Sequence, residues 1–545
     1  MKEPQNIRQV LERAVMKDPS KVYLLFKDQK ITYMEMDKYT NQTANMFIDL
    51  GIRKGDRVAM MLPNCPEFFY LWFGLVKIGA SIVPININFQ EKETAYVLQH
   101  SEVKAVLATP EYWEIVQKAV KTSNIQLRHR ISIGGDFSDT LSYERIRPQF
   151  SSVLGEVAID ATDEASILYT SGTTGNPKGC IESQEYYLVA GKRYSEHLGL
   201  TADDRILTPL PIFHMNPQIL STMGTLFVGG SLAIVDRFHP RSWWQELRTM
   251  EVTHFHYLGV LPAMLIGMPP QSDDADHRPW IGIGAGVPKT IHLPFEERFN
   301  VKLLEVFGMT ETGLNFCCLP QPDRAVGTAC FYKPFEEYEA MIVDDVDQVV
   351  PIGVVGEMLL RGSNPDNRRR GFMSGYYKDS EATMEAWRND WFHTGDYVQA
   401  DTEGRYYFVD RKKDIVRRSG ENISASEVEG VIHLHPAVMD VAVIPVPDQI
   451  REQEVKAYVV LKEGYSPDAV PISDLIAWTV DQLAYFKVPR YWEFRESLPV
   501  TQTGKIQKQC LKMEKDNLTV GSFDRVENNW VSLYTPILPA CYLGG

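Results

Sequence analysis

The chain has 545 residues, and its 71 acidic against 56 basic side chains give a formal net charge of −15. That length exceeds the size at which one hydrophobic core stops growing, so at least two domains are expected, with room for an enclosed site. The acidic balance argues against general binding to nucleic acid or to an anionic membrane, and an anionic substrate has to be met by local groups.

The opening residues MKEPQNIRQVLERAV carry charges with no apolar core behind them, which predicts no secretory signal. The oiliest stretch, Phe68 to Ile85, is interrupted by Lys77 and contains Gly74 and Gly79. It predicts a buried helix running into a strand rather than a membrane span, which needs roughly 20 mostly apolar residues. Cysteines at 65, 180, 317, 318, 330, 510 and 541 are scattered and lack any C-x-x-C spacing, which suits a reducing cytoplasm and gives no metal site. From about residue 50 to 440, β-rich runs such as Arg57 to Leu62 and Ala105 to Ala108 alternate with helix-like stretches such as Pro66 to Lys77. The fold class expected is α/β, with largely parallel sheets in a large N-terminal domain.

The stretch Tyr169-Thr-Ser-Gly-Thr-Thr-Gly-Asn-Pro-Lys-Gly179 concentrates hydroxyls, glycines and one lysine. Glycines let the backbone approach a phosphate, Thr170, Ser171, Thr173 and Thr174 donate hydrogen bonds, and Lys178 adds a point charge. It is not the G-x-x-x-x-G-K-[ST] loop, because five residues after Gly172 stands Pro177. Leu210-Pro-Ile-Phe-His-Met-Asn216 puts His214 in a loop after a strand. Gly282-Ile-Gly-Ala-Gly286 fails as a dinucleotide fingerprint because Val287 stands where G-x-x-G continues. Val306-Phe-Gly-Met-Thr-Glu-Thr312 places Thr310 and Glu311 after a glycine turn, and a carboxylate beside a phosphate loop suits Mg²⁺ as well as a helix N-terminus.

Residues 330 to 362 read as an antiparallel β subdomain, with Glu339 to Val343 and Gly356 to Arg361 as strands. In Trp391-Phe-His-Thr-Gly-Asp396 the terminal acid can accept both hydroxyls of a ribose or form an Asx turn. Composition shifts at Arg411-Lys-Lys-Asp-Ile-Val-Arg-Arg418, and Ser424-x-x-Glu427 predicts a helix start. Strands at Val441 to Pro445 and Lys456 to Leu461 and a helix from Ile472 to Leu483 then make a small α+β domain. The expected division is 1–410 and 411–545, with Lys505 on the turn Pro499 to Lys505 and a tail after about 520.

In order and spacing, these segments resemble the adenylate-forming superfamily of acyl-CoA synthetases, luciferases and carrier-loading adenylation domains, over roughly residues 10 to 515. The resemblance implies that Thr170 to Lys178, Gly172 among them, fold over the β- and γ-phosphates of ATP. It gives Gly284, Ala285, Gly286 and Phe307 to the adenine, Gly308 and Met309 to the nucleotide site, Thr310 to the α-phosphate, Glu311 to Mg²⁺, and Asp396 and Arg411 to the ribose. Lys505 is the implied catalytic lysine, His214 a catalytic-site residue, Lys413 the hinge of a mobile C-terminal lid, and Ser419, Gly420 and Glu421 the loop that meets coenzyme A. Three positions depart from the pattern: Phe307 replaces a frequent tyrosine, Ser183-Gln184 a frequent Thr-His pair, and Val287-Pro288-Lys289 is unusual after the glycines.

The implied reaction is attack of a substrate carboxylate on the α-phosphate of ATP, giving an acyl-adenylate and pyrophosphate, then transfer of the acyl group to coenzyme A with release of AMP. The segments Asn64 to Phe68, Phe73 to Gly79, Pro269 to Ser272 and Ile450 to Ala457 resemble the carnitine/crotonobetaine-type CoA ligases. A quaternary ammonium favours an aromatic cage, for which Trp243, Trp244, Phe255 and Tyr257 are candidates, with core packing as the alternative. Arg368-Arg-Arg370 and the basic residues of 411–418 are candidates for the phosphates of coenzyme A. A carrier-protein phosphopantetheine is the alternative acceptor. A non-catalytic ATP-binding protein is the alternative of another class, and it predicts damage to the phosphate loop or to Lys505 that the sequence does not have.

Overall fold

The computed structural model describes residues 3–170, 177–277, 280–418, 421–448, 451–500 and 506–531, leaving out the side chains of Lys413, Glu421 and Asn422. The chain divides into two compact units, one of 1–341, 359–393 and 402–407, the other of 342–358, 394–401 and 408–545.

The first unit holds two eight-stranded sheets. In one, Arg57–Met61 lies between Ser81–Pro84 and Ala105–Ala108, all parallel. Its far side carries the antiparallel hairpin Glu164–Thr170 and Lys178–Ser183, with Gly375–Tyr376 added antiparallel outside it. The other sheet runs His254–Leu258, Trp280–Ala285 and Val301–Met309 in parallel, then turns back antiparallel into Gly313–Cys317. The α/β architecture with largely parallel sheets is therefore the observed one. Such sheets are covered on both faces, and their strands are buried almost throughout, as in Ser81–Pro84 and Ala105–Ala108.

The oily stretch forms the helix Pro66–Val76, buried at every position but Glu67, followed by the strand Ser81–Pro84. Pro66 opens the helix, where its missing N–H costs nothing. Lys77, fully buried, is accommodated because its Nζ donates to Asp37 Oδ1 at 2.6 Å, Thr40 Oγ1 at 2.8 Å and Asn41 Oδ1 at 2.7 Å. Among the described residues, no helix is long and apolar enough to cross a membrane.

The strands expected in 330–362 form as Cys330–Tyr332, Tyr338–Val343 and Gly356–Gly362. In the second unit Val438–Asp448 and Glu452–Leu461 pair antiparallel over their whole length, and Tyr491–Phe494 joins the second of them in parallel. Helix Ala425–His433 starts at Ser424, whose hydroxyl accepts the Glu427 N–H, and with helix Ile472–Val480 it covers one sheet face through Val428, Ile432 and Leu475. Tail residues Phe523–Asp524 and Asn529–Trp530 extend this sheet as a hairpin paired to Tyr491–Phe494. Arg490 pins it there, its Nη2 2.9 Å from Asp524 Oδ2.

Candidate active site

In the first unit the expected residues collect at the C-terminal ends of parallel strands, the edge at which open α/β sheets bind ligands. The hairpin Glu164–Thr170/Lys178–Ser183 brings Thr170 opposite Lys178. Ser171, Gly172, Thr173 and Thr174, which join them, lie outside the described residues. Lys178 Nζ sits 4.9 Å from the centre of the Tyr376 ring, and the Tyr376 hydroxyl donates to Glu311 Oε1 at 3.0 Å. Tyr376 reaches this place because Gly375–Tyr376 pairs with the lysine-bearing strand, Tyr376 opposite Cys180. A cation, an aromatic ring and a carboxylate from three distant segments thus stand together. Thr310 and Glu311 occupy the turn between Val301–Met309 and Gly313–Cys317, where the Tyr186 hydroxyl donates to the Thr310 carbonyl at 2.9 Å and Met373 N–H to that of Glu311 at 2.9 Å. The donor set suits Mg²⁺, a hard cation that takes oxygen ligands and retains water.

Behind this turn stands Glu182, fully buried, with neither carboxylate oxygen hydrogen-bonded. Burial first, and the charge of Glu311 second, push its carboxyl well above the ordinary glutamate range. Neither Tyr376 nor Glu182 was among the residues expected from sequence. The tyrosine lies in a two-residue strand with no motif around it, and an alternation of buried positions gives no reason to single out one acid.

The glycine turn is built around another acid. Gly284 sits where a Cβ would come within 2.1 Å of the Tyr257 carbonyl, so only glycine lets these strands close. Glu305, on the neighbouring strand, accepts the Gly286 N–H at Oε2 and the Val287 N–H at Oε1, both at 2.9 Å, and the Tyr257 hydroxyl at 3.2 Å. Phe307, two residues on, is buried with its ring 5.1 Å from Phe331 and edge-on to Phe316 at 5.8 Å. Ala285 is half-buried, Gly286 and Gly308 are exposed, and Met309 is half-buried, so this edge offers backbone and an aromatic flank to a planar ring.

His214 is exposed, yet surrounding protein desolvates its imidazole and pushes it down to about 4. The ring is therefore neutral at pH 7. Directly after it runs a π-helix, Pro217–Thr222, a form that recurs at functional sites.

Of the two readings of Trp243, Trp244, Phe255 and Tyr257, core packing is the one observed. Trp243, Phe255 and Tyr257 are buried in the apolar core, with Trp243 edge-on to Phe255 at 5.6 Å, and Trp244 stacks on Trp280 at 5.8 Å. The Tyr257 hydroxyl is engaged with the Leu304 carbonyl and Glu305. The arginine run is likewise committed within the protein: Arg368 pairs with Glu339 at 2.9 Å, Arg370 with Glu185 at 2.9 Å, and Arg369 lies over the Trp387 ring.

In the second unit Arg411 Nε lies 2.8 Å from Oδ1 of Asp396, which is fully buried. The approach to Asp396 is fixed by Thr394, whose hydroxyl donates to the Met358 carbonyl at 2.6 Å, and by Gly395, which takes φ +66° and donates to Glu357 Oε1 at 3.2 Å. Lys412 pairs with Glu357 at 2.6 Å, Arg417 with Asp345 at 2.6 Å and Arg418 with Glu454 at 2.7 Å, so these cations of the basic segment have internal partners. Lys413 falls in the short 3₁₀ turn Lys412–Asp414, and Glu421 opens the strand Glu421–Ser424. Ser419, Gly420 and Lys505 lie outside the described residues.

The family model of AMP-binding enzymes matches residues 11–377, and that of the AMP-binding enzyme C-terminal domain matches residues 427–505. A crotonobetaine/carnitine–CoA ligase of Salmonella paratyphi B is 32% identical over 527 residues, covering 93% of this chain and 99% of that protein. One of Escherichia coli is 33% identical over 494 residues, covering 89% and 93%. Among solved structures, an anthranilate CoA ligase in complex with anthranoyl-AMP superposes with a TM-score of 0.84 at 26% identity, over 94% of this chain and 99% of that one. ATP-bound MatB from Rhodopseudomonas palustris superposes with a TM-score of 0.82 at 26% identity, with the same coverage.

Proposed function

The chain belongs to the AMP-binding enzyme family and is an AMP-forming acid–CoA ligase, a class that uses ATP, Mg²⁺ and coenzyme A, and we propose that its acid is crotonobetaine, carnitine or a similar small carboxylate. The observation that carries the catalytic reading is the assembly of Lys178, Tyr376 and Glu311 beside the ends of the phosphate hairpin. Identity of 32–33% to ligases of that name supports the substrate reading.

On this reading Thr170 to Lys178 bind the terminal phosphates, and the edge formed by Gly284 to Gly286 and Phe307 to Met309 receives the adenine. Asp396 and Arg411 take the ribose hydroxyls. Glu311 holds Mg²⁺, which supplies charge neutralisation on the phosphates, and Thr310 and Lys505 share the negative charge that develops as the carboxylate attacks. His214, neutral, borders the carboxylate. The lid of residues 411–545 turns about Lys413 after adenylation, withdrawing Lys505 and presenting Ser419 to Glu421 to the pantetheine of coenzyme A. The enzyme works in the cytoplasm, in keeping with the free thiols of its described cysteines.

The test is a panel of betaine, aryl and aliphatic acids assayed by ATP–pyrophosphate exchange and then by thioester formation with coenzyme A or a carrier protein. Crotonobetaine should react fastest. Replacing its trimethylammonium by tert-butyl keeps the shape and removes the charge, so kcat/KM should fall roughly 3- to 30-fold if the site recognises the cationic head. Equal rates with the isostere or with a plain fatty acid would remove the betaine from the reading and leave the ligase.

A further inference from the structure

The segment Asn64 to Phe68 marks a resemblance and has no part in the chemistry above, yet Asn64 is buried and its amide bonds two strand-end segments of the other sheet. Its Nδ2 donates to the Leu210 carbonyl and to the Val235 carbonyl, each at 3.0 Å, and its Oδ1 accepts the Ile212 N–H at 2.9 Å. Asn64 follows the strand Arg57–Met61 of one sheet, while Leu210 and Val235 follow Arg205–Thr208 and Ser231–Ile234 of the other. One amide therefore ties the two sheets of the first unit together at their C-terminal ends. The loop it grips is the one that ends in His214, whose N–H closes a turn onto the Pro211 carbonyl at 3.0 Å.

A second polar chain meets the same loop from the opposite side. Gln218 Nε2 donates to the Ile212 carbonyl at 2.8 Å, and Gln218 Oε1 accepts the Tyr187 hydroxyl at 2.6 Å. Tyr187 stands 2.7 Å from Ser166 Oγ, on the strand that leads to the phosphate hairpin. Ile212 is thus held at both its N–H and its carbonyl by fully or nearly fully buried amides. No other side chain meets these demands. Aspartate would set a carboxylate against two carbonyls, and leucine would strand three buried backbone groups.

We propose that Asn64 is a positioning residue for adenylation, fixing the Leu210–His214 loop between the sheets and so setting where the His214 imidazole meets the carboxylate substrate. This rests on the placement of His214 beside the carboxylate under Proposed function. Misplacement of a reacting group by about 1 Å can cost on the order of 100-fold, so a side chain that never touches substrate can govern its use.

The experiment is a double-mutant cycle on the full-length enzyme, read by ATP–pyrophosphate exchange with crotonobetaine or, if another panel acid reacts faster, with that acid. Asn64→Leu should lower kcat/KM for the carboxylate about 10- to 100-fold through a raised carboxylate KM, leaving the KM for ATP within about threefold. In the His214→Ala background the same change should cost less than about threefold, because its target is already gone. Gln218→Leu, which takes from the loop only the bond to the Ile212 carbonyl, loosens part of the clamp and carries the same comparison if Asn64→Leu does not fold. A fall in kcat with both KM values unchanged, or a loss of equal size with and without His214, would overturn the proposal, as would full activity of His214→Ala. Absence of exchange with every acid in the wild type would overturn the ligase reading and this proposal together, a result distinct from any of those in the cycle.

Discussion

Two buried glutamates stand at the two ends of the candidate site and are built in opposite ways. Glu305, beside the glycine turn, accepts two backbone N–H groups and a tyrosine hydroxyl, so its carboxylate acts as the anchor of that turn. Glu182, behind the Thr310–Glu311 turn, has no hydrogen-bond donor at either oxygen. Burial raises both carboxyls, but at Glu305 the two N–H donors pull back against it, whereas at Glu182 the neighbouring charge of Glu311 adds to it. One end of the site is therefore rigid through its acid, while the other sets an acid whose ionisation burial disfavours beside the carboxylate assigned to the cation. At that end, ionisation of Glu182 would set a second negative charge beside Glu311, the carboxylate assigned to the cation.

That division is broken most severely at Glu311 itself. Glu311→Gln should lower the adenylation rate about 100- to 1000-fold, the usual cost of losing one preorganised electrostatic group, and the Mg²⁺ dependence of ATP–pyrophosphate exchange should shift to higher concentration. An unshifted Mg²⁺ dependence would take the cation away from this acid. The opposite end is addressed by Glu305→Leu, which leaves the Gly286 and Val287 N–H groups without their acceptor. The one that is buried, Val287 N–H, costs about 1–3 kcal/mol when stranded, so the KM for ATP should rise roughly 5- to 100-fold with a smaller change in kcat. A change in kcat alone would show that this turn does not hold the nucleotide.

The parts of this contrast were unequally legible in the sequence. Parallel strands announced themselves as short continuous apolar runs, and Arg57 to Leu62 and Ala105 to Ala108 fall at or within one residue of their observed bounds, Arg57–Met61 and Ala105–Ala108. Thr310, Glu311, Gly284 and Lys178 were readable because glycines and hydroxyls cluster around them. Tyr376 and Asn64 were not assigned, since each acts on residues far off in sequence or in the other sheet, and only topology brings such partners together. The choice between an aromatic cage and core packing was open in the sequence because Trp and Tyr that bury completely and those that line a pocket have the same letters; the hydroxyl of Tyr257 settles it for core packing by bonding to Glu305 within the protein.

A smaller effect is expected at Tyr376, which bridges the two halves of the phosphate end. Tyr376→Phe removes the hydrogen bond to Glu311 and keeps the ring under Lys178. A single such bond contributes about 1 kcal/mol, so adenylation should fall about fivefold, with stability nearly unchanged. Tyr376→Ala, which also removes the ring, should cost more. Equal effects of the two would mean that the hydroxyl alone matters and that the Lys178–ring contact at 4.9 Å is incidental.

The least change in turnover is expected at Glu182, and there the contrast with Glu305 is sharpest. If Glu182 stays protonated, Glu182→Gln keeps its shape and charge, so adenylation at pH 7 should remain within about threefold of wild type. Stability is where the acid shows itself. Its folded pKa is raised above the unfolded value of 4.5, so the native chain binds more protons than the unfolded chain between the two values. Its contribution is fully present below 4.5 and is lost as pH rises toward the folded pKa, at up to about 1.4 kcal/mol per pH unit. Urea titrations of the wild type and Glu182→Gln from pH 5 upward should diverge, the variant gaining on the wild type with every step. Parallel curves would show that Glu182 ionises at its ordinary value despite its burial, and that a second charge does stand behind Glu311.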